Sequence, residues 1–333
     1  MSIEAVAREA GVSVATVSRV FNAPHLVRPP TRERVEDIAK RLGYRPNASA
    51  QTLRTQRSRV IGVVLPTLQN PVFAECLEGI ADSAAQAGYS IIPCTTSYRT
   101  ADEESAVAAL VSRSVDGVIL VVADPAASPA IAQLTRAALP YVLAYNRHAR
   151  HPCVSVDNEG AVADAAQRLV AAGHRRIAMV SGQLSASDRA GQRYRGFVRG
   201  LQACGLPAGP LLELPFMEHA VQQLTDLLRA PGRPTAIFCS NDLLAIRTVR
   251  AAHGLGLRVP ADLSVVGFDG IELGCDLTPS LATVVQPNRD IGVHCVRLLA
   301  GAIAAGEPLA ARASVTPPHT FRAGESLGPP PRD

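Results

Sequence analysis

No run of apolar residues in this chain of 333 approaches the ~18 needed to cross a bilayer, so no membrane span is expected. The first ten residues already hold Glu4, Arg8 and Glu9 and no long apolar stretch, which argues against a secretory signal peptide. The seven cysteines (Cys76, Cys94, Cys153, Cys204, Cys239, Cys275 and Cys295) are odd in number and scattered, with no CxxC pair. They read as reduced core thiols rather than a disulfide framework. There is no GxGxxG after the first strand candidate of the body, no P-loop and no GxSxG elbow, so catalysis and a bound cofactor are not expected. His148, His151 and Cys153 crowd together in NRHARHPC, but their spacing fits no common zinc pattern and an exposed loop explains them. Lysine is almost absent, Lys40 standing alone among 33 basic residues. That reads as coding bias, although arginine does favour bidentate contacts.

What is present starts at the first residues. MSIEAVAREAGVSVATVSRVFN reads as two short amphipathic helices joined by a tight turn at Gly11, with Ser2 and Ser13 at cap positions. Ile3, Val6, Ala7 and Ala10 share one face of the first helix; Val17 and Val20, with Phe21 beside them, supply the apolar face of the second. Val14, Ala15, Ser18, Arg19 and Asn22 are left facing outward. Such a surface suits a DNA major groove, where a methyl meets a thymine methyl and Arg reaches guanine O6 and N7. Alone, the pattern fits equally well a helical hairpin capping a larger domain. A third helix follows the Pro29–Pro30 pair, from Thr31 to about Gly43, with Val35, Ile38, Ala39 and Leu42 as its buried stripe. Charge favours the DNA reading. Residues 1–59 hold 11 basic and 5 acidic side chains, against 22 and 24 in the remainder, a basic head on a slightly acidic body.

The AxxAGVSxxTVSRVxN core (Ala7, Ala10 to Ser13, Thr16 to Val20, Asn22), the TRxRVxxxAxxLGYxPN stretch from Thr31 to Asn47, and Ala50, Gln51 and Leu53 together resemble the headpiece of the LacI/GalR family of bacterial transcription regulators. The resemblance implies a helix-turn-helix headpiece over 1–46 and a hinge over 47–58 that folds on DNA, two copies entering the minor groove side by side. Leu53 would be the wedge between base pairs and Ala50 the small residue that permits close approach. Val14, Ala15 and Arg19 become base readers; Ser13, Thr16, Ser18, Asn22, Arg28, Asn47 and Arg54 complete the DNA-binding set, part of it on phosphates.

From about Arg59 onward, short apolar runs alternate with amphipathic stretches. Strand candidates are Val60–Leu65, Ser90–Cys94, Gly117–Val122, Tyr141–Tyr145, Arg176–Val180, Ala236–Cys239 and Ser264–Phe268. Helix candidates include Val72–Ala87, Ala101–Ser112, Gly160–Ala172, Ala190–Ala203, Val221–Arg229 and Asp242–His253. This alternation predicts parallel sheets covered on both faces, and the length suits two of them. GHRRIAMVSG (173–182), RYRGF (193–197), CSNDLLA (239–245), VPADLSVVGFDG (259–270) and PSLATVVQP (279–287) extend the family resemblance through the body. They imply two doubly wound lobes like a periplasmic sugar-binding protein: an N-lobe of about 59–156 and 288–315 and a C-lobe of about 157–285 and 316–325. A periplasmic binding protein is the rival reading on fold alone, but it needs a signal peptide.

Ligands in such folds bind at the carboxyl ends of strands, between the lobes. The family pattern places Asn70, Val72, Phe73, Asn146, Arg147, Ser187, Arg189, Arg193, Phe216, Asn241, Asp269 and Gln286 there. Phe73 can stack on a ring and Asp269 can accept hydrogen bonds from ligand hydroxyls or amines. Arg147, Arg189 and Arg193 against a single Asp269 predict a surplus of guanidinium, which favours an anionic effector such as a sugar acid or phosphorylated metabolite. One hinge makes half a wedge, so a homodimer on a pseudo-palindromic operator is expected, in the cytoplasm and on the nucleoid. The tail FRAGESLGPPPRD carries no apolar heptads for a further coiled coil.

Overall fold

The computed structural model describes residues 2–22, 24–44, 57–215 and 221–331. The chain divides into two compact units, Met1–Ser58 and Arg59–Asp333. In the first, helix α1 (Ile3–Ala10) stops at Gly11, whose left-handed φ of 61° turns its N–H back to the Ala7 and Arg8 carbonyls. Helix α2 (Val14–Asn22) is capped by Ser13, whose Oγ accepts the Thr16 N–H at 3.1 Å. Ser2 departs from expectation: it stands at the cap position of α1 without a capping bond, and its hydroxyl serves the Glu4 carboxylate instead. Helix α3 (Pro29–Arg41) begins two residues before Thr31, because prolines in a first turn forgo only N–H groups that have no helical partner. Val6, Val17, Val20 and Val35 are fully or nearly fully buried between the three helices, and Phe21 meets Tyr44 at 5.8 Å beside them. The expected hinge, 47–58, lies outside the described residues up to position 56.

The second unit is built on two sheets. Strands β1 (Val60–Leu65), β2 (Ser90–Thr95), β3 (Gly117–Leu120), β4 (Tyr141–Ala144) and β5 (Cys153–Val154) form the first, all parallel, in the order β2-β1-β3-β4-β5. The second runs β11-β10-β9-β8-β6-β7, from β6 (Ile177–Gly182), β7 (Leu211–Leu214), β8 (Ala236–Cys239), β9 (Ser264–Asp269), β10 (Ala282–Val285) and β11 (Thr320–Arg322). Only β11 is antiparallel in that order. Helices α4 (Pro71–Gln86), α5 (Thr100–Ser112), α6 (Pro129–Arg136), α7 (Asn158–Ala171), α8 (Asp188–Ala203), α9 (Val221–Arg229), α10 (Asp242–Gly254) and α11 (Asn288–Ala305) cover the faces. Burial on both faces explains why these strands read as continuous apolar runs: Ile61, Val63 and Leu65 pack toward α4 and α11, while Val64 packs toward α5 and α6.

The chain passes between the sheets three times: after β5 into α7, after β10 into α11, and between Val315, which bridges Val154, and β11. Each lobe brings one helix pair close through glycine. A Cβ on Gly79 would lie 2.1 Å from the Arg289 carbonyl oxygen, and one on Gly200 would lie 2.6 Å from that of Ala163. The former sets α4 against α11 and the latter α8 against α7.

Strands β5, β7, β10 and β11 and helices α6 and α11 were not among the sequence candidates. Strand β5 spans two residues and β11 three, too short for any periodic signal. Helix α11, the longest described, mixes Gly, His and Cys into its apolar stripe because it packs against both a sheet and another helix.

Candidate functional site

The carboxyl ends of β1, β2, β4, β6, β8 and β9 converge on a cavity of about 330 Å3 between the two sheets. Four residues at these ends hold positive φ: Ser97 (51°), Tyr98 (60°), Tyr145 (64°) and Asp269 (119°). Non-glycine residues avoid that region at a cost of about 1–3 kcal/mol each, so the surrounding contacts must impose it. The result is that strands end by turning side chains into the cleft.

Asn70, Val72 and Phe73 line the cavity from the start of α4. Asn70 caps that helix by accepting the Val72 N–H, and its amide donates across the cleft to Asp269 Oδ2 at 3.3 Å. Phe73 stands edge-on to Tyr145, 5.5 Å between centroids at 88°. The Tyr145 hydroxyl donates to the Val72 carbonyl at 3.0 Å, which locks that aromatic wall.

Facing it, Arg193 on α8 is 7 % exposed. Its Nε donates to Asn158 Oδ1 at 2.9 Å, its Nη1 to the Ser240 carbonyl and, at 3.5 Å, to Asp269 Oδ1. The guanidinium lies 3.7 Å over the Phe268 ring. Asp269 also accepts from Gln286 Nε2 at 2.9 Å. Burial pushes the Asp269 carboxyl upward, while Arg193, Asn70 and Gln286 pull it back toward the ionised form. Asn241 caps α10, accepting the Leu244 N–H at 2.8 Å, and lines the cavity together with Ser187 and Arg189.

Two expectations fail. Asn146 is fully buried but does not line the cavity: its side chain bonds the Val122 N–H and C=O and donates to Asp188. Arg147 turns away to an ion pair with Asp157, at 3.0 Å and half exposed. The surplus of guanidinium therefore disappears. Arg189 pairs with Asp188 at 3.1 Å and also donates to the Val122 carbonyl; Arg193 pairs with Asp269. Arg99, which sequence reasoning missed, lines the cavity but pairs with Asp102.

Phe216 lies outside the described residues. Ser97, Tyr98 and Tyr145 were also missed, along with Gly182, Gln183, Ala186, Ala190, Pro215 and Ser240. The signal was available for Ser97, Tyr98 and Arg99, since they follow a recognised strand candidate at its carboxyl end. Burial raises the Tyr98 phenol above its ordinary value.

In the headpiece, Val14 is 41 % exposed, and Ser13, Ala15 and Arg19 are exposed with it. Thr16 and Ser18 are half-buried, Thr16 bonding the Ser13 hydroxyl. Arg28 is exposed at the start of α3. The Asn22 side chain and Asn47, Ala50, Leu53 and Arg54 lie outside the described residues.

Among the described residues no helix is long and apolar enough to cross a membrane. Residues 2–47 match the bacterial regulatory proteins of the lacI family, and residues 166–327 match the periplasmic binding protein-like domain. Catabolite control protein A of Priestia megaterium is 36% identical over 304 residues, covering 90% of this chain and 91% of that relative. The Lac repressor dimer bound to operator and the anti-inducer ONPF superposes with a TM-score of 0.86 at 28% identity, over 98% of both chains. The complex of the transcriptional regulator CelR with cellobiose gives a TM-score of 0.72 at 27% identity, over 98% of this chain and 100% of that one. A helix-turn-helix head joined to a two-lobed, periplasmic-binding-protein-like body, with these relatives, places the chain in the LacI family of bacterial regulatory proteins, as a ligand-responsive DNA-binding transcriptional regulator.

Proposed function

We propose that the protein represses a metabolic operon as a homodimer on a pseudo-palindromic operator in the bacterial cytoplasm, and that a neutral, hydroxyl-rich small molecule of the sugar class controls it. The observation that carries the ligand class is the charge balance of the cavity. Both buried guanidiniums, Arg189 and Arg193, already have a carboxylate partner in Asp188 and Asp269. An anion entering the site would therefore meet guanidiniums whose charge is already balanced, with no net positive charge to offset its desolvation. A hydroxyl meets no such penalty: it can donate to Asp269 and accept from Arg193, Asn70 or Gln286, while the faces of Phe73 and Tyr145 accept a sugar ring. Binding of cellobiose by CelR supports the same class.

The exposed face of α2 supports the DNA half of the reading. Val14, Ala15 and Arg19 offer two apolar contacts and one bidentate donor for base edges, and Arg28 a phosphate contact. Effector binding shifts the lobe arrangement and with it the energy of setting two hinge segments, Leu53 and Ala50 included, into the minor groove. Coupling of this kind is typically about 1–3 kcal/mol, a five- to hundred-fold change in DNA affinity.

A thermal-shift screen of the full chain against neutral sugars, sugar acids and sugar phosphates tests the ligand class. A neutral compound should raise the melting temperature, and Arg193→Ala or Asp269→Asn should abolish the rise. A shift seen with anions alone overturns the neutral assignment. Selection from randomised duplexes tests the DNA half: Val14→Arg should change the preferred site, and an unchanged preference would remove Val14 from base reading.

A further inference from the structure

Asp242, the first residue of α10, has no exposure and does not line the cavity. Its Oδ2 accepts the backbone N–H groups of Gly270 at 2.8 Å and Ile271 at 2.9 Å, the two residues that follow Asp269. Its Oδ1 meets Thr283 Oγ1 at 2.6 Å, on the neighbouring strand β10. The fit is tight: a Cβ on Gly267 would lie 2.1 Å from Oδ1, so only glycine on β9 leaves room for the carboxylate. Asp269 and Gly270 both hold left-handed backbone, at φ 119° and 79°. With the backbone turned in this way, the Asp269 carboxylate meets Arg193, Gln286 and Asn70.

We propose that Asp242 is a positioning residue for the effector site: by gathering the Gly270 and Ile271 N–H groups on one oxygen, it holds the left-handed turn that directs Asp269 into the cavity. The importance of that turn for binding rests on the effector-site reading above; the positioning itself does not. Neighbouring Asn241 faces the cavity, so two consecutive residues divide the work, one at the ligand and one behind the residue opposite.

The bonding tolerates either protonation state. Burial and the nearby Asp269 push the Asp242 carboxyl up to about 7. When protonated, Oδ1 can donate to Thr283 Oγ1, which can donate onward to the Val284 carbonyl at 3.3 Å, leaving Oδ2 free to accept both amides. An asparagine can reproduce this pattern, its oxygen accepting the two N–H groups and its amide donating to Thr283. Alanine cannot.

The test needs no effector. In deuterated, 15N-labelled full-length protein, the side-chain NH2 resonances of Gln286 and Asn70 report where the Asp269 carboxylate stands, and the Gly270 and Ile271 amides report the turn. Asp242→Ala should move all four sets, whereas Asp242→Asn should leave the Gln286 and Asn70 signals in place. Stationary Gln286 and Asn70 signals in Asp242→Ala, or signals in Asp242→Asn displaced as far as in Asp242→Ala, would overturn the proposal. If Asp242→Ala does not fold, Asp242→Glu serves: it keeps the charge but is one methylene too long for the space beside Gly267. It should move the same resonances, and unmoved ones would again overturn the assignment. Failure of the sugar-class screen would leave this outcome untouched.

Discussion

On the N-lobe side the cavity is walled by Phe73, Tyr98 and Tyr145, with Asn70 as its donor across the cleft; on the C-lobe side it is walled by Arg189, Arg193 and Asp269, joined by Gln286 at the crossover. Phe73 and Tyr145 belong to the apolar core under α4 and α11, so packing holds them. Arg193 and Asp269 are held by each other and by amides and carbonyls, a network in which each group's burial depends on its partner. The two walls should therefore fail differently. Truncating the first removes contacts and a hydroxyl bond; truncating the second strands a charge.

The largest effect is expected from Arg193→Ala, which leaves Asp269 buried without its cation and should cost about 3–5 kcal/mol in chemical denaturation. A loss below about 1 kcal/mol would show that the charged wall relaxes like the aromatic one. Tyr145→Phe should cost less, about 1–2 kcal/mol, because it deletes one buried hydroxyl and leaves the Val72 carbonyl without that donor while keeping the ring. Its melting curve, set beside that of Arg193→Ala, ranks the two walls directly.

Acid should weaken the C-lobe through a third kind of contact. His174 is fully buried, Nε2 donating to the Gly328 carbonyl at 3.0 Å and Nδ1 accepting from Thr235 Oγ1 at 2.9 Å. Burial lowers its pKa below the ordinary 6.5, so the fold binds neutral imidazole. Stability from this group is complete above the unfolded value and is lost as pH falls through about 6.5 toward the lower folded value. Denaturation midpoints should decline over that window, and His174→Gln should flatten the decline; parallel curves for the two proteins would place the acid sensitivity elsewhere. The smallest effect is expected from Arg147→Ala. Its half-exposed pair with Asp157 is worth less than about 1 kcal/mol, and ligand binding should stay as in the parent. A large loss of ligand affinity would return Arg147 to the site.

Legibility followed the physical origin of each feature. Strands buried on both faces, such as Val60–Leu65 and Ala236–Cys239, announce themselves as apolar runs. The two- and three-residue strands β5 and β11 exist only because a crossing segment meets a sheet edge. Asn70, Arg193 and Asp269 were visible because their motifs are local. Tyr145 was not, since nothing in YVLAY distinguishes the last strand residue from one turned into a cleft at φ 64°. Arg147 misled for the complementary reason: its neighbour Asp157 is ten positions away and becomes its partner only after β4 and β5 pair.

By itself the amino-acid sequence determined the basic helical head with Val14, Ala15 and Arg19 on its outer face and the alternation of strand and helix. These depend on periodicity, which short stretches of chain carry in full. Which arginines meet which carboxylates, and hence the charge of the cavity, was decided by the tertiary structure alone. Ion pairs such as Arg193–Asp269 join residues 76 positions apart, and only the packing of α8 against the sheet that carries β9 sets their distance and removes the water between them.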